Sequence, residues 1–202
     1  LGLAFAAVLS GWSLPKSPGR AEQKIPLKSL IPSDARIGWL SLARLFLFGS
    51  RDAWFVLALP LFASSVLGWS HDAVGGTLAA WVIGYGLIQA SAPGWVSRGG
   101  EPPRARTLGA LTLLLLLPLI ALEVLLGWFA ISAVGILIDL AIFGAVFAAN
   151  SAIHSYLIVA YSDREGVSTR VGFYYMANAA GRAVGTVLSG VLYEASGEGS
   201  EG

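Results

Sequence analysis

The amino-acid sequence predicts an all-α membrane protein, and its composition and the layout of its apolar segments lead to this prediction. Hydrophobic residues make up 55% of the 202 residues. Charged residues make up 12%, about half of the roughly 25% found in a soluble domain. The apolar residues stand in long runs, and a run in lipid must be helical because lipid cannot hydrogen-bond free backbone groups. This composition excludes an ordinary soluble enzyme and a disordered tail.

Five apolar segments are long enough to cross a bilayer, which takes about 20 residues. The first follows a proline-rich polar linker, the second is rich in Gly and Trp, and the third has a Leu-rich centre. Only Gly127 and Trp128 separate the third from the fourth, so these two are predicted to form an antiparallel hairpin. The fifth follows a charged loop. We expect full spans at 39–67, 73–96, 107–127, 129–160 and 171–194, which together form a bundle over 39–194.

The segments outside this bundle are interpreted as parts of a longer chain. Residues 1–12 are apolar but too short to span, so we expect them to be the end of a truncated transmembrane helix. Residues 13–38 contain four prolines and five cationic residues and are predicted to form a cytoplasmic loop. Residues 195–202 are predicted to be a truncated tail.

The distribution of Lys and Arg predicts the orientation of the spans. The loops 13–38, 97–106 and 161–170 hold five, three and two of these residues, whereas the turns 68–72 and 127–128 hold none. The two sets alternate along the chain, as successive spans require. By the positive-inside rule, the three basic loops are cytoplasmic.

Three arginines remain, and all lie inside predicted spans. Arg51 and Arg182 are near mid-depth, where an Arg costs roughly 2.5–3.5 kcal/mol on insertion scales and therefore faces protein or a water-filled cavity. Arg44 lies nearer the cytoplasmic end and could snorkel to the surface. Neighbouring residues on a helix point about 100° apart, so we do not expect Arg51 to pair with Asp52 on one face, and we expect one of the two to face another helix. A structural ion pair of Arg51 with Asp52 or with an acid on another helix remains the alternative.

Other polar residues in the spans fall at helical spacing. Tyr174, Asn178 and Arg182 are four residues apart and form one stripe in the fifth span. A second stripe lies in the fourth span, and interhelical hydrogen bonds that only hold the helices together are the alternative for both. This second stripe consists of Asn150, Ser151, His154 and Ser155, with Asp139 about three turns earlier on nearly the same face. Possible proton-coupling residues are Asp52, Asp139 and His154.

Small residues at every fourth position of the fifth span predict a close helix contact. They are Ala177, Gly181, Gly185 and Ser189.

The sequence carries no motif of catalysis or of cofactor binding. The chain has no cysteine, and His71 and His154 are far apart, so no metal-binding spacing is present. We find no Ser-His-Asp order, phosphate loop or dinucleotide fingerprint. A net charge of +1 also argues against a nucleic-acid binder. We therefore expect neither an enzyme nor a cofactor or metal site.

Three strings carry a resemblance to a known family. They are RLFLFGSRDAWFVLALP at 44–60, WVIGYGLIQA at 81–90 and NSAIHSYLIVAYSDREGVSTRVGFYYMANAAGR at 150–182. They resemble the organoarsenical efflux transporters of arsenic-resistance operons, a branch of the major facilitator superfamily. The third string is the most specific, because hydropathy does not dictate its polar residues. The resemblance covers most of 40–193.

The resemblance implies the C-terminal six-helix half of a major facilitator fold, with 13–38 as the central loop and the last helix missing. It implies a multi-pass protein of the bacterial inner membrane, completed by the N-terminal half of the same transporter. The implied substrate is 1-arseno-3-phosphoglycerate, and a glyceraldehyde-3-phosphate-dehydrogenase-like enzyme is the implied functional partner.

An anion of this kind needs cationic partners, and Arg suits bidentate oxyanion binding. We expect Arg51 to face the cavity, with Asn178 and Arg182 across from it, Tyr174 nearby, and Arg44 at the cytoplasmic entrance. Two alternatives stay open. One is a major facilitator exporter of another organic solute. The other is a non-transporting membrane scaffold, which predicts Arg51 and Arg182 in ion pairs with no aqueous cavity between them.

Overall fold

The computed structural model describes residues 34–96, 103, 105–128, 132–162 and 166–195. The chain divides into two units, Leu1–Ile31 and Pro32–Gly202. The first unit lies outside the described residues, as do the predictions for 1–12, most of 13–38 and 196–202. The second unit contains seven helices in its described part: α1 Ala35–Phe55, α2 Ala58–Ser65, α3 His71–Val96, α4 Ala105–Leu114, α5 Leu116–Trp128, α6 Ala133–Ala160 and α7 Val167–Ala195.

The all-helical prediction is confirmed for the described residues, which contain no strand. Four of their helical stretches are long and apolar enough to cross a membrane, and this indicates a membrane protein. These stretches are Ala35–Ser65, His71–Ala92, Arg106–Gly127 and Ala133–Ala160.

The prediction of five full spans needs a correction at α7. This helix contains the predicted fifth span but is not one of the four stretches. Arg170, Arg182 and Glu194, together with Gly, Ser and Thr residues, make it more polar than the others. The structure therefore supports four spans of the described chain and one long, more polar helix.

Two of the predicted spans are broken in the structure, and a proline follows each break. The first span is interrupted at 56–57 between α1 and α2, and the third is interrupted at Leu115 between α4 and α5; each break ends three residues before a proline, Pro60 or Pro118. A proline has no N–H to donate, and its ring clashes with the carbonyl four residues earlier. Those carbonyls belong to Val56 and Leu114, which lie at the two breaks.

The first helix begins earlier than predicted, inside the expected loop 13–38. Asp34 caps α1 by accepting a hydrogen bond from the Arg36 backbone N–H at 2.8 Å. The Arg36 side chain also pairs with the Asp34 carboxylate at 2.7 Å. These hydrogen bonds lower the pKa of Asp34. A charged carboxylate at this position suits the positive end of the helix dipole, which explains why the helix starts here.

The most extensive helix contact joins α1 and α7. It is formed by glycines that face backbone carbonyls: Gly181 lies against the Leu45 carbonyl, and Gly185 lies against the Gly49 carbonyl. A Cβ added to Gly49 would lie 3.0 Å from the Gly181 carbonyl oxygen. The predicted close contact through small residues of the last helix is therefore confirmed, and Gly49 is its counterpart on α1.

A second close contact joins α3 and α6. The Trp81 ring covers Gly144, where an added Cβ would lie 2.7 Å from the indole nitrogen. The same nitrogen donates to the Leu140 carbonyl at 2.8 Å. Because α6 also contacts α1, α4, α5 and α7, it brings its buried polar residues next to the charged face of α1.

Candidate functional site

Two arginines from different helices share one buried carboxylate. Arg51 Nε of α1 donates to Asp52 Oδ1 at 2.7 Å, and Arg51 Nη2 pairs with the same oxygen. Arg182 Nε of α7 donates to Asp52 Oδ2 at 2.9 Å. The Asp52 side chain is 1% exposed, whereas that of Arg182 is 55% exposed. Asp52 is therefore a fixed negative charge between a buried cation and an accessible one.

The expectation that Arg51 would not pair with Asp52 is wrong. The 100° offset is the angle between the directions in which two neighbouring side chains leave the helix. It prevents contact between short side chains more than between long ones. The Arg51 side chain is long enough to turn around the helix and reach its neighbour. The accompanying expectation, that one of the two faces another helix, is confirmed by the contact of Asp52 with Arg182.

Aromatic rings surround the Arg51 guanidinium. Its Cζ lies 4.8 Å from the Phe48 ring centroid, 5.0 Å from that of Phe147 and 5.9 Å from that of Phe55. Ring faces attract cations, and more strongly where water is excluded. This environment keeps the planar group in one orientation, so its remaining donors have a fixed direction.

Arg44 is buried, and the interpretation that it snorkels to the surface is wrong. Arg44 is only 4% exposed. Its Nη1 donates to Ser151 Oγ at 2.8 Å, and its Cζ lies 4.0 Å from the Phe48 ring centroid. Tyr85 of α3 also donates to Ser151 Oγ, at 2.9 Å. Among the residues that the structure describes, Arg44 makes no ion pair, so its charge is balanced by dipoles and ring faces alone.

Two residues of the predicted stripe on α7 lie next to different arginines of α1: Tyr174 is beside Arg44, and Arg182 shares Asp52 with Arg51. Tyr174 is fully buried and lies beside Arg44, whose Cζ is 5.2 Å from its ring centroid. The rings that the structure describes around the Arg51 guanidinium are instead those of Phe48, Phe55 and Phe147. Asn178 is half-buried, with its Oδ1 unpartnered. Its Oδ1 therefore accepts no hydrogen bond from Arg51 or Arg182.

Three residues of the predicted stripe on α6 are buried, as interhelical contact requires, and the fourth, Ser155, is half-buried and donates to the Ser151 carbonyl at 3.0 Å. Asn150 donates to Thr112 Oγ1 of α4 at 3.0 Å, and Ser151 binds Arg44. His154 is 1% exposed, lies 6.4 Å from Tyr174 between ring centroids, and has an Nδ1 atom without a hydrogen-bond partner. Asp139 is buried as well, but it lies more than three turns along α6 from His154.

A cavity of about 1030 Å³ lies among α1, α4, α5, α6 and α7. Arg51 and His154 border it, whereas Arg44, Asp52 and Arg182 do not. Arg51 therefore borders a cavity of the described chain, and its placement in a substrate cavity stays a prediction. The scaffold alternative expects ion pairs and no cavity between the arginines; the structure has the ion pairs, and its cavity lies beside Arg51, not between Arg51 and Arg182.

Phe48 is the site residue that the sequence analysis missed. It lies four residues after Arg44 and three before Arg51, and its ring contacts both guanidinium groups. This spacing places the three side chains on one face of α1, so the sequence held the signal. Aromatic residues are common in apolar spans, so this spacing alone did not identify Phe48 as a site residue.

Comparison with protein-family models, with curated proteins and with solved structures finds no match for this chain. The family resemblance therefore stays a prediction from the three sequence strings. Within the described part of the chain, no three His, Cys, Asp or Glu residues are grouped as a metal ion would need.

Proposed function

We propose that the chain is the C-terminal half of a secondary transporter that exports an organic oxyanion. One observation carries the proposal: three arginines lie on the facing sides of α1 and α7, and among the residues that the structure describes one carboxylate, that of Asp52, pairs with them. An unbalanced charge within the membrane is costly, and charged residues at this depth commonly mark a path for ions or substrates. The excess positive charge favours a ligand that is an anion.

The proposed mechanism uses Asp52 as a resident anion. It holds Arg51 and Arg182 in place when the site is empty, so neither arginine is an unpaired charge. An entering oxyanion competes with Asp52 for these donors, first at Arg182, which is the more exposed. Arg presents a planar fork that matches two oxygens of one oxyanion. Release of the anion restores the pairing with Asp52.

The resemblance of the three strings supports an organoarsenical as the substrate, with 1-arseno-3-phosphoglycerate as the first candidate. Under this proposal, the chain works with the N-terminal half of the same transporter in the bacterial inner membrane. A glyceraldehyde-3-phosphate-dehydrogenase-like enzyme would supply the substrate. The second candidate is another organic anion, and the apolar walls of the cavity favour it.

The experiment is export from cells that carry the full-length transporter and make 1-arseno-3-phosphoglycerate. We expect Arg51→Gln and Arg182→Gln each to slow export roughly tenfold or more, the size of a lost charge-assisted hydrogen bond. Arg51→Lys and Arg182→Lys should fall between these and the original rate, because they keep the charge but lose the fork. Arg36→Gln is the matched control, since Arg36 lies on α1 beside Asp34 and away from the cavity.

Membrane expression of every variant is measured in parallel. If both Gln variants are expressed normally and export at the original rate, the arginines are structural and the proposal fails.

A further inference from the structure

The walls of the 1030 Å³ cavity are almost entirely apolar. Five side chains with hydrogen-bonding groups border it, those of Ser50, Arg51, Trp54, Thr112 and His154. Two of these are already satisfied within the protein: Ser50 donates to the Leu47 carbonyl at 3.2 Å, and Thr112 accepts from Asn150 at 3.0 Å. Hydrogen-bonding capacity that no described residue uses therefore remains at Arg51, Trp54 and His154.

Arg51 supplies the only fixed charge among the residues that the structure places around the cavity. Its Nε and Nη2 bind Asp52, and its Nη1 has no partner among the described residues. The guanidinium is held by the rings of Phe48 and Phe147. The side chain is thus buried, oriented and left with one donor nitrogen to offer a ligand.

The rest of the wall is suited to hydrocarbon. Leu116 and Leu119 of α5 and Val184 and Leu188 of α7 are among the residues that line the cavity. A compact anion with several charges would fill little of this volume, and burying its charges against apolar walls is costly. Ligand pockets commonly measure about 300–1,000 Å³, so the space fits a ligand with a sizeable apolar body.

We infer that this cavity binds an amphiphilic organic anion, with its single charged head on Arg51 and its apolar body between α5 and α7. The inference deepens the proposed function and rests on it for transport, because it names a substrate class for Arg51, the residue that the two proposals share. It favours the second substrate candidate, an organic anion other than the arsenical.

A bilayer phospholipid is not the occupant that the geometry favours. Arg51 is about 24 Å of helical rise from Ala35 and about 21 Å from Ser65, the two ends of the first membrane-spanning stretch. It therefore lies near mid-depth, whereas a phospholipid head group stays at the membrane surface. A free amphiphile can place its whole length inside the cavity.

The test is calorimetric binding to the full 202-residue chain in phosphatidylcholine nanodiscs, with empty nanodiscs subtracted. Three probes are compared. Decyl sulfate has a charged head group and an alkyl chain, decanol has the alkyl chain without the charge, and methyl sulfate has the charged head group without the long chain. We expect one decyl sulfate per chain, with decanol and methyl sulfate at least tenfold weaker. Arg51→Gln should weaken decyl sulfate binding about tenfold, and the control Arg36→Gln should leave it unchanged.

Leu119→Trp is the second variant, because it fills the cavity and leaves every charge in place. It should weaken decyl sulfate binding while the helix content measured by circular dichroism stays the same. Equal binding to Arg51→Gln and the original chain overturns the inference, and so does equal affinity for methyl sulfate and decyl sulfate. Loss of decyl sulfate binding when phosphatidylglycerol is added to the nanodiscs overturns it too, because the occupant is then a lipid. Since no transport is measured, these failures are separate from a failure of the proposed export.

Discussion

At the residue scale, the Asp52 carboxylate controls the charge of the site. Both of its oxygens are used, one by Arg51 and the other by Arg182. The sequence identified all three residues as important but did not predict how they pair. The pairing depends on the path that a long side chain takes around the helix and on which helix lies opposite, and neither is encoded in the spacing of residues along one segment.

Removing the Asp52 charge should destabilise the fold. Asp52→Asn leaves the buried Arg51 without its counter-ion, and breaking a buried pair in this way costs about 3–5 kcal/mol. Arg182→Gln should cost much less, because the Arg182 side chain is 55% exposed and solvent screens its charge. Denaturant unfolding of the purified chain measures both.

Glu123→Gln is the control, since Glu123 is exposed on α5. A result in which Asp52→Asn is no less stable than Glu123→Gln would show that the buried carboxylate contributes nothing to the fold.

Arg44 should be sensitive to a change that keeps its charge. Arg44→Lys loses the flat contact with the Phe48 ring and the directed bond to Ser151. A Lys ammonium is more strongly hydrated than a guanidinium and is poorly suited to this dry position. We expect a lower midpoint of thermal unfolding than in Arg36→Lys, which alters an exposed arginine of the same helix. Equal midpoints would mean that burial of Arg44 has no energetic consequence.

At the element scale, the sequence predicted where the helices are and which face of the last one is closely packed. Small residues at every fourth position are sufficient for this, because only they let two backbones meet. The sequence did not predict the helix breaks before Pro60 and Pro118. Neighbouring helices often satisfy the backbone groups that a proline frees in a membrane, so a proline in an apolar run does not decide between a kink and a break.

The glycine contact gives a matched pair of substitutions on α7. An added Cβ at Gly181 collides with the Leu45 backbone carbonyl, whereas nothing lies within 4 Å of one added at Gly172. We expect Gly181→Ala to destabilise the chain by about 1–3 kcal/mol, as overpacking does. Gly172→Ala should be neutral or slightly stabilising, because Ala favours a helix over Gly. Unfolding midpoints that do not differ between the two would contradict the close packing of α1 and α7.

At the scale of the whole molecule, the sequence predicted the class of protein but not the interior of the helix bundle. Composition and the long apolar runs predicted a helical membrane protein, since a helix satisfies its own backbone groups in lipid. The volume and the lining of the cavity could not be predicted, because they depend on how side chains from five helices meet. The polarity of α7 was also misjudged, because its length and small residues resemble those of an apolar span.

The orientation of the chain can be tested on a background without cysteine. We expect Ser70→Cys, between the first two spans, to react with a membrane-impermeant maleimide in intact cells. Ser162→Cys, after α6, should react only once the membrane is permeabilised, since its loop is predicted to be cytoplasmic. The opposite pattern would reverse the orientation, and labelling of both sites in intact cells would contradict the placement of α3 and α6 as spans.

The proposed half-transporter also predicts that this chain needs its other half. A single repeat lacks the facing surface that closes and opens the path. Cells that make only residues 1–202 should therefore show no substrate-dependent efflux, whereas cells with the full-length transporter should. Equal efflux from both would contradict the division into two halves.

The contact between Arg51 and Asp52 has a consequence for biosynthesis. These neighbours leave the ribosome together, long before α7 is made, so they can neutralise each other while α1 enters the bilayer. Arg182, which arrives more than a hundred residues later, then finds a carboxylate already in place. On this view, adjacency in the sequence lowers the barrier to membrane insertion of a helix that must carry a charge at mid-depth. A glycosylation-mapping assay should therefore show poorer insertion of α1 in Asp52→Asn, and unchanged insertion would refute the idea.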